Sequence, residues 1–364
     1  MTALFSPLSI GNLTLENRIV VSPMCQYSAV DGVANEWHLA HLGTLANSGA
    51  GLVVVEATAV EPAGRISHGD LGLYDDETQK ALADVVSFCK KSGNSRLGIQ
   101  LAHAGRKASC QRPWEGGAAL GAAEAPWQTI APSALAFADG WHVPAAMQQA
   151  DLDRVIEAHV AAARRAVAIG FDMIEVHAAH GYLLHQFLSP FSNRREDEYG
   201  GSSEARMRYP LKIIAAIRAA LPDGYPLGVR ITGSDWAEGG IQPEDAVAFA
   251  QRLREIGVDF VCVTGAGVAP NAAPPIGPAY QAGLAEKVRR EAGIKTRAVG
   301  LIASPAQAEA VVAEGKADLV ALGRAFLDNP HWGWEAARVL GAETARPPQY
   351  QRAAPSVWPG AAWL

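Results

Sequence analysis

"TRAVGLIASPAQAEAVVAEGKADLVALGRAF", residues 296–326, decides the fold. Two short apolar runs, residues 296–301 and 317–323, flank a segment of helical periodicity. That segment opens on Ser304, a residue type that caps helix N-termini, followed by Pro305, whose fixed φ suits a first helical turn, and it closes on Gly315. A strand, a crossover helix and a second strand make a parallel pair, because parallel neighbours need a connection of this length. Neither run alternates polar with apolar residues, as expected of strands covered on both faces.

The same unit recurs along the chain. "RIVVS" (18–22), "GLVVVEAT" (51–58), "LGIQLAH" (97–103), "DMIEVHA" (172–178), "LGVRIT" (227–232) and "DFVCVTG" (259–265) complete a set of eight apolar runs, each followed by a helical pattern. One of these helices, "QPEDAVAFAQRLREIG", stops at Gly257. Eight strand–helix units predict an α/β fold, a single TIM (β/α)8 barrel over residues 1–345. Two stretches depart from the repeat. Residues 104–150, rich in Gly, Ala, Pro and Trp, are too long for an ordinary connection and read as a lid or capping excursion after the third strand. Residues 346–364, "RPPQYQRAAPSVWPGAAWL", form a Pro-bearing tail whose Trp358 and Trp363 are apolar anchors of the kind enriched at interfaces, suited to hold it against a neighbouring subunit.

Composition narrows the function. With 364 residues, 49% hydrophobic and 19% charged, the chain is globular, and a net charge of −6 offers no basic field for nucleic acid or an acidic membrane. No run reaches transmembrane length, and the first residues lack a signal-peptide pattern, so a cytoplasmic location is expected. Four scattered cysteines, Cys25, Cys89, Cys110 and Cys262, suggest neither a disulfide framework nor a metal cluster.

Barrel chemistry sits where strands end. There the sequence places Ser22 to Tyr27, Ala57 and Thr58, Gln100 with His103, His177 with His180 and Tyr182, Arg230, Thr264, Gly300, and Gly323 with Arg324. So many polar ends exceed what packing alone asks for. The last two strands finish in Gly300 and Gly323, whose exposed amides suit an anion, with Arg324 placed to pair with it; barrels commonly bind phosphate at this point. The alternative is that the glycines merely end strands and Arg324 pairs with a surface acid. In "IEVHAAHGYLLHQF" (174–187), His177, His180 and His185 raise a zinc alternative, with Asp235 and Glu175 as carboxylates, but the spacing matches no recognisable ligand pattern, so no metal is expected. A purely structural histidine pair is the other alternative.

"NRIVVSPMCQYS", "VVVEATAV", "GIQLAHAGRKAS", "FDMIEVHAAHGYLLHQFLSPFSNRREDEYGGS", "RAVGLI" and "ADLVALGRAFLDNPHW" resemble, in order, the old yellow enzyme family of FMN-dependent ene-reductases, and within it the branch typified by the YqjM protein and xenobiotic reductase A. The resemblance implies noncovalent FMN held by Ser22, Pro23, Met24, Cys25, Ala57, Gln100, Arg230, Gly300, Gly323 and Arg324. It implies NADPH or NADH as reductant and electron-poor alkenes as substrates. His177 and His180 would hold the substrate's carbonyl or nitro oxygen, Tyr182 would protonate the α-carbon, and Tyr27 would line the substrate pocket. Cys25, otherwise a small buried hydrophobe, would tune the flavin, and Arg230, otherwise an ion-pair partner, would stabilise charge on the reduced ring. "PPQYQR" resembles the branch's C-terminal pattern, which implies that Arg352 enters the neighbour's site in trans, in a homodimer or a homotetramer built from dimers. The activity so implied is that of an NADPH dehydrogenase or ene-reductase. A flavin-binding scaffold without catalysis and a flavin-free barrel hydrolase or aldolase are the competing classes.

Overall fold

The computed structural model describes residues 2–363. In chain order, β1 (Leu8–Ile10), β2 (Leu13–Leu15) and β3 (Ile19–Val21) lead into α1 (Glu36–Leu45), β4 (Leu52–Ala59), α2 (Asp76–Ser92) and β5 (Arg96–Ala102). The excursion carries β6 (Ile130–Ala131) and β7 (Ala145–Ala146), after which come α3 (Gln149–Ala168), β8 (Met173–Ala178), α4 (Leu183–Leu188) and α5 (Ser203–Ala220). The chain continues through β9 (Leu227–Thr232), α6 (Pro243–Glu255), β10 (Phe260–Thr264), α7 (Ala282–Ala292), β11 (Lys295–Ala298), α8 (Pro305–Ala313), β12 (Leu319–Leu322), α9 (Arg324–Asp328) and α10 (Trp332–Val339).

Eight parallel strands close in the order β10-β11-β12-β3-β4-β5-β8-β9, so the TIM barrel read from the sequence is the fold. The local signals act as expected. Ser304 caps α8 by accepting from the Gln307 amide, Pro305 stands in the first turn, and Gly315 takes φ +72° just past the helix. Gly257 ends α6 in the same way at φ +84°.

Two apolar shells hold the barrel. The larger lies between strands and helices and includes Val53, Ile99, Ile174, Val229 and Val261. The smaller fills the barrel interior with Val20, Leu52, Val54, Met173, Phe260 and Leu319, the inward members of strands whose side chains alternate. Ile10 and Leu15 belong to this inner cluster, so the antiparallel β1–β2 hairpin plugs one end of the barrel. Above the apolar layer sits a polar one. Arg297 and Glu175 form a wholly buried ion pair, and the Gln100 amide donates to Glu175 at 2.7 Å. The interior is therefore tied across β5, β8 and β11 directly beneath the strand ends.

The pairing of β4 with β5 shifts register between Val55 and Ala57. This irregularity frees Glu56 to accept from the Gln26 amide at 2.9 Å, while Ala57 pairs with Gln100. The excursion lies over the strand ends: Trp114 packs edge-on against Tyr27 at 5.8 Å, and Arg106 donates to the carbonyls of Leu135, Ala136 and Val268. Among the described residues, no helix is long and apolar enough to cross a membrane.

Candidate active site

The strand ends open into a cavity of about 590 Å³. Ser22, Pro23 and Met24 from the end of β3, Arg230 from β9, Gly300 after β11, and Gly323 and Arg324 after β12 line it. Seven of the ten sequence-nominated cofactor residues thus share one wall. The chemistry of that wall suits a phosphorylated, partly aromatic guest. Arg324 is exposed to it, Gly300 takes φ +102°, and the buried Arg230 Nε has no protein partner, so a guanidinium donor waits for an acceptor. A Cβ on Gly323 would stand 3.3 Å from Met24 Sδ, so the glycine keeps the cleft open there. These features fit FMN.

The other three nominated cofactor residues lie deeper. Cys25 is a half-buried free thiol; burial, then the Asp70 and Glu56 carboxylates, push its pKa well up, so it is a thiol rather than a thiolate. Ala57 lines a narrow crevice together with Asp70 and Tyr182. Gln100 lies in the polar layer, bound to Glu175.

Three of the substrate-side residues, His177, His180 and Tyr182, come from one turn. His177 is the penultimate residue of β8, and the chain reverses through His180 at φ +56° and Gly181 at φ +75° before Tyr182 caps α4. This left-handed pair folds the His180 ring back on His177, with centroids 5.1 Å apart, and sets the Tyr182 ring 4.9 Å from His177. Gly181 is required there: a Cβ would meet the Gly267 carbonyl oxygen at 2.1 Å. Burial, then the Arg230 guanidinium, hold both imidazoles well below the usual histidine range, so each is neutral with one N–H. Burial also pushes the Tyr182 phenol well above its ordinary value, which keeps its proton in place. Tyr27, at φ +50°, stands near enough to be among the groups acting on the Tyr182 phenol.

His185 turns away from this pair. Its Nδ1 accepts from the Gly181 amide at 2.8 Å, and its Nε2 bonds Asp235 at 2.9 Å; Asp235 also takes the Ser189 hydroxyl and the Ile241 amide. Burial raises the Asp235 carboxyl, but His185 and these bonds outweigh it and hold the group below the usual carboxylate range. The two carboxylates considered for zinc are thus engaged elsewhere, Asp235 with His185 and Glu175 with Arg297. Among the described residues, no group of three or more His, Cys, Asp or Glu could hold a metal ion. His103 also leaves the site, bonding Glu61 at 2.9 Å.

Lys107 was not singled out by sequence reasoning. Its ammonium donates to the His180 carbonyl at 2.9 Å and the Gly267 carbonyl at 3.0 Å, and it lies 5.2 Å from the Tyr182 ring centroid. Burial pulls its pKa down to about 8. The only hint in sequence is a lysine shortly after a strand end. Thr264, visible as a strand-end residue but given no role, places its hydroxyl 3.1 Å from His180 Nε2. Arg352 lies exposed on the tail, which packs on its own chain through Tyr350 against His331 and Trp334; among the described residues, none of the tail lines the cavity.

Residues 3–342 match the NADH:flavin oxidoreductase / NADH oxidase family. An NADPH dehydrogenase of Geobacillus thermodenitrificans (strain NG80-2) is 47% identical over 353 residues, covering 96% of this chain and 98% of that protein. The structure of morphinone reductase superposes with a TM-score of 0.76 at 29% identity, over 96% of this chain and 92% of that one. A 2-naphthoyl-CoA reductase complex gives a TM-score of 0.83 at 25% identity over 93% of this chain, which spans 52% of that longer one.

Proposed function

The chain belongs to the NADH:flavin oxidoreductase / NADH oxidase family, the old yellow enzymes, and from that premise we propose that it reduces the C=C bond of α,β-unsaturated carbonyl and related nitro or maleimide compounds. It is an oxidoreductase with FMN as cofactor and a nicotinamide dinucleotide as reductant. The chemistry FMN would supply when bound is hydride transfer between the nicotinamide and the substrate. Ser22, Pro23, Met24, Arg230, Gly300, Gly323 and Arg324 would hold it in the cavity that they line.

The observation that carries the proposal is the convergence of two neutral imidazoles and a protonated phenol within one turn. His177 and His180 orient a carbonyl or nitro oxygen and stabilise the negative charge that grows on it. Tyr182 delivers a proton to the α-carbon. Tyr27, packed edge-on against Trp114 of the excursion, would stand on the substrate side. A cytoplasmic setting is supported by four cysteines that all remain free.

The test is anaerobic. The yellow protein is reduced with NADPH or NADH and mixed with 2-cyclohexenone, N-ethylmaleimide or a saturated ketone, with flavin absorbance and product followed together. Reoxidation by the alkenes alone, with a saturated product, is expected. A flavin that stays reduced with every alkene yet reoxidises in air would overturn the proposal.

A further inference from the structure

The hydrogen-bond pattern around His180 presents a problem that the proposed chemistry has to solve. The Ala179 amide donates to His177 Nδ1 at 3.2 Å, so the single proton of that neutral ring is on Nε2. His177 Nε2 in turn lies 3.3 Å from His180 Nδ1, which is therefore the acceptor. The single proton of His180 is then on Nε2, 3.1 Å from Thr264 Oγ1. An oxygen gripped by both rings would meet His177 Nε2 and His180 Nδ1, yet in this arrangement only the first of those nitrogens carries a proton.

Movement of the backbone is a poor remedy. His180 is held at φ +56° with its carbonyl fixed by the Lys107 ammonium at 2.9 Å, and a Cβ on the neighbouring Gly267 would meet His180 backbone atoms at 2.7 Å. Thr264 is equally fixed. It ends β10 in register with Thr232, its carbonyl accepts from the Gly233 amide at 2.6 Å, and it is 2% exposed. What can change is the position of protons. A hydroxyl accepts one hydrogen bond and donates another by rotating, so it can serve His180 Nε2 in either protonation pattern, where an amide or an ammonium would be fixed in role.

We infer that Thr264 is a positioning residue that sets the tautomer of His180: its hydroxyl accepts from Nε2–H when His180 takes a bond from His177, and turns to donate to Nε2 when Nδ1–H is presented to a substrate oxygen. His180 lines the open cavity, so the ring releases the Nε2 proton to solvent and takes one from solvent at Nδ1, leaving its charge unchanged and the Thr264 hydroxyl intact. Donation into Nε2 also strengthens Nδ1–H as a donor, which matters most as the oxygen becomes negative. The inference rests on the proposed role of His177 and His180 as the oxygen-binding pair.

The experiment compares FMN-loaded wild type with Thr264→Val, which keeps shape but loses the hydroxyl, and Thr264→Ser, which restores it. Long-range ¹H–¹⁵N spectra of histidine-labelled protein, with His180→Ala for assignment, read the tautomer with and without 4-cyanophenol as the oxygen ligand. In wild type and Thr264→Ser, His180 is expected as the Nε2–H form alone and the Nδ1–H form with the phenol. Thr264→Val is expected to bind the phenol and turn over 2-cyclohexenone roughly tenfold less well, the effect of about one hydrogen bond, with flavin content retained. The inference is overturned if wild-type His180 carries the same tautomer in both states, or if Thr264→Val matches wild type in phenol affinity. It is also overturned if Thr264→Ser fails as badly as Thr264→Val, since the hydroxyl would then not be the operative group. The wild-type spectra decide the matter even if Thr264→Val does not fold. A wild type that neither binds the phenol nor reduces the enone would instead sink the proposed function, a distinct result.

Discussion

Replacing Tyr182 by Phe removes one oxygen and, by the structure, little else. The residue caps α4 through its backbone, with its amide on the Ala179 carbonyl at 3.1 Å and its carbonyl accepting from Gln186 at 2.8 Å, and the ring contact with His177 at 4.9 Å survives in Phe. Folding and flavin content should therefore hold. Burial pushes the phenol well above its ordinary pKa, so Tyr182 is the neutral acid throughout the working range, and proton delivery by it should be flat between about pH 6 and 9. The raised folded pKa also means that any stability from this group is present below the unfolded value and is lost only at strongly alkaline pH. A positioned general acid contributes about 10²–10⁴-fold, or about 3–5 kcal/mol of barrier. Stopped-flow mixing of the reduced variant with 2-cyclohexenone should show a loss of that size, while reduction of the oxidised variant by NADPH stays near wild type. Equal reoxidation rates in variant and wild type would refute the assignment, leaving Tyr182 as a pocket wall. An equal loss in both half-reactions would refute it too, because a proton donor to substrate carbon has no part in flavin reduction.

Arg297→Met strands Glu175 in the barrel interior and should cost about 3–5 kcal/mol in urea unfolding, the penalty of breaking a buried pair from one side; a change below 1 kcal/mol would mean that the pair contributes nothing. Asp70 is buried and its pKa is raised to about 6, chiefly by burial, so the folded state binds a proton that the unfolded state has lost and stability falls as pH rises from the unfolded value of 3.8 through 6. Asp70→Asn should flatten that fall by about 3 kcal/mol, read as urea midpoints across this pH range. Lys107 has the opposite slope: burial holds its folded pKa at about 8, below the ordinary lysine value of 10.5, so stability rises with pH between them, and Lys107→Met should abolish roughly 3 kcal/mol of that rise. For Arg352, mixing Tyr182→Phe, His177→Ala chains with Arg352→Ala chains under subunit exchange should raise enone reduction above the sum of the two, and no recovery despite proven exchange would end the in trans role.

The eight barrel strands were legible because each is a continuous apolar run set off by turn residues, and a helix such as α8 announces both its ends through Ser304, Pro305 and Gly315. The hairpin of β1 and β2 was not, since three-residue strands are too short to show a period. The register shift at Val55 and Ala57 is hidden for a related reason: "LVVVEATA" reads as one buried strand whether or not a residue is extruded. At the site, residues whose own chemistry is exceptional for a strand end, such as His177, His180 and Arg230, could be picked out by inspection. Lys107 could not. Its role is defined by carbonyls 73 and 160 positions away, and backbone carbonyls leave no trace in a sequence.

That asymmetry bears on how the site is built. A non-glycine residue in the left-handed region carries strain of about 1–3 kcal/mol and persists only where its surroundings over-determine it. His180 is such a residue, and the three features that over-determine it are the Lys107 ammonium on its carbonyl, the packing of Gly181 and Gly267 at distances no Cβ would tolerate, and the His185–Asp235 pair gripping the Gly181 amide. Lys107 adds a cost of its own, since burial lowers its pKa from 10.5 to about 8. Neither cost is recovered through apolar packing at that spot. Both buy the position of one imidazole against another, which is what stabilising a growing negative charge requires: donors already aimed before the charge appears, on a backbone too constrained to turn away. With the backbone fixed to this degree, adaptation to a bound oxygen is left to protons, and Thr264 stands where one of those protons has to be exchanged.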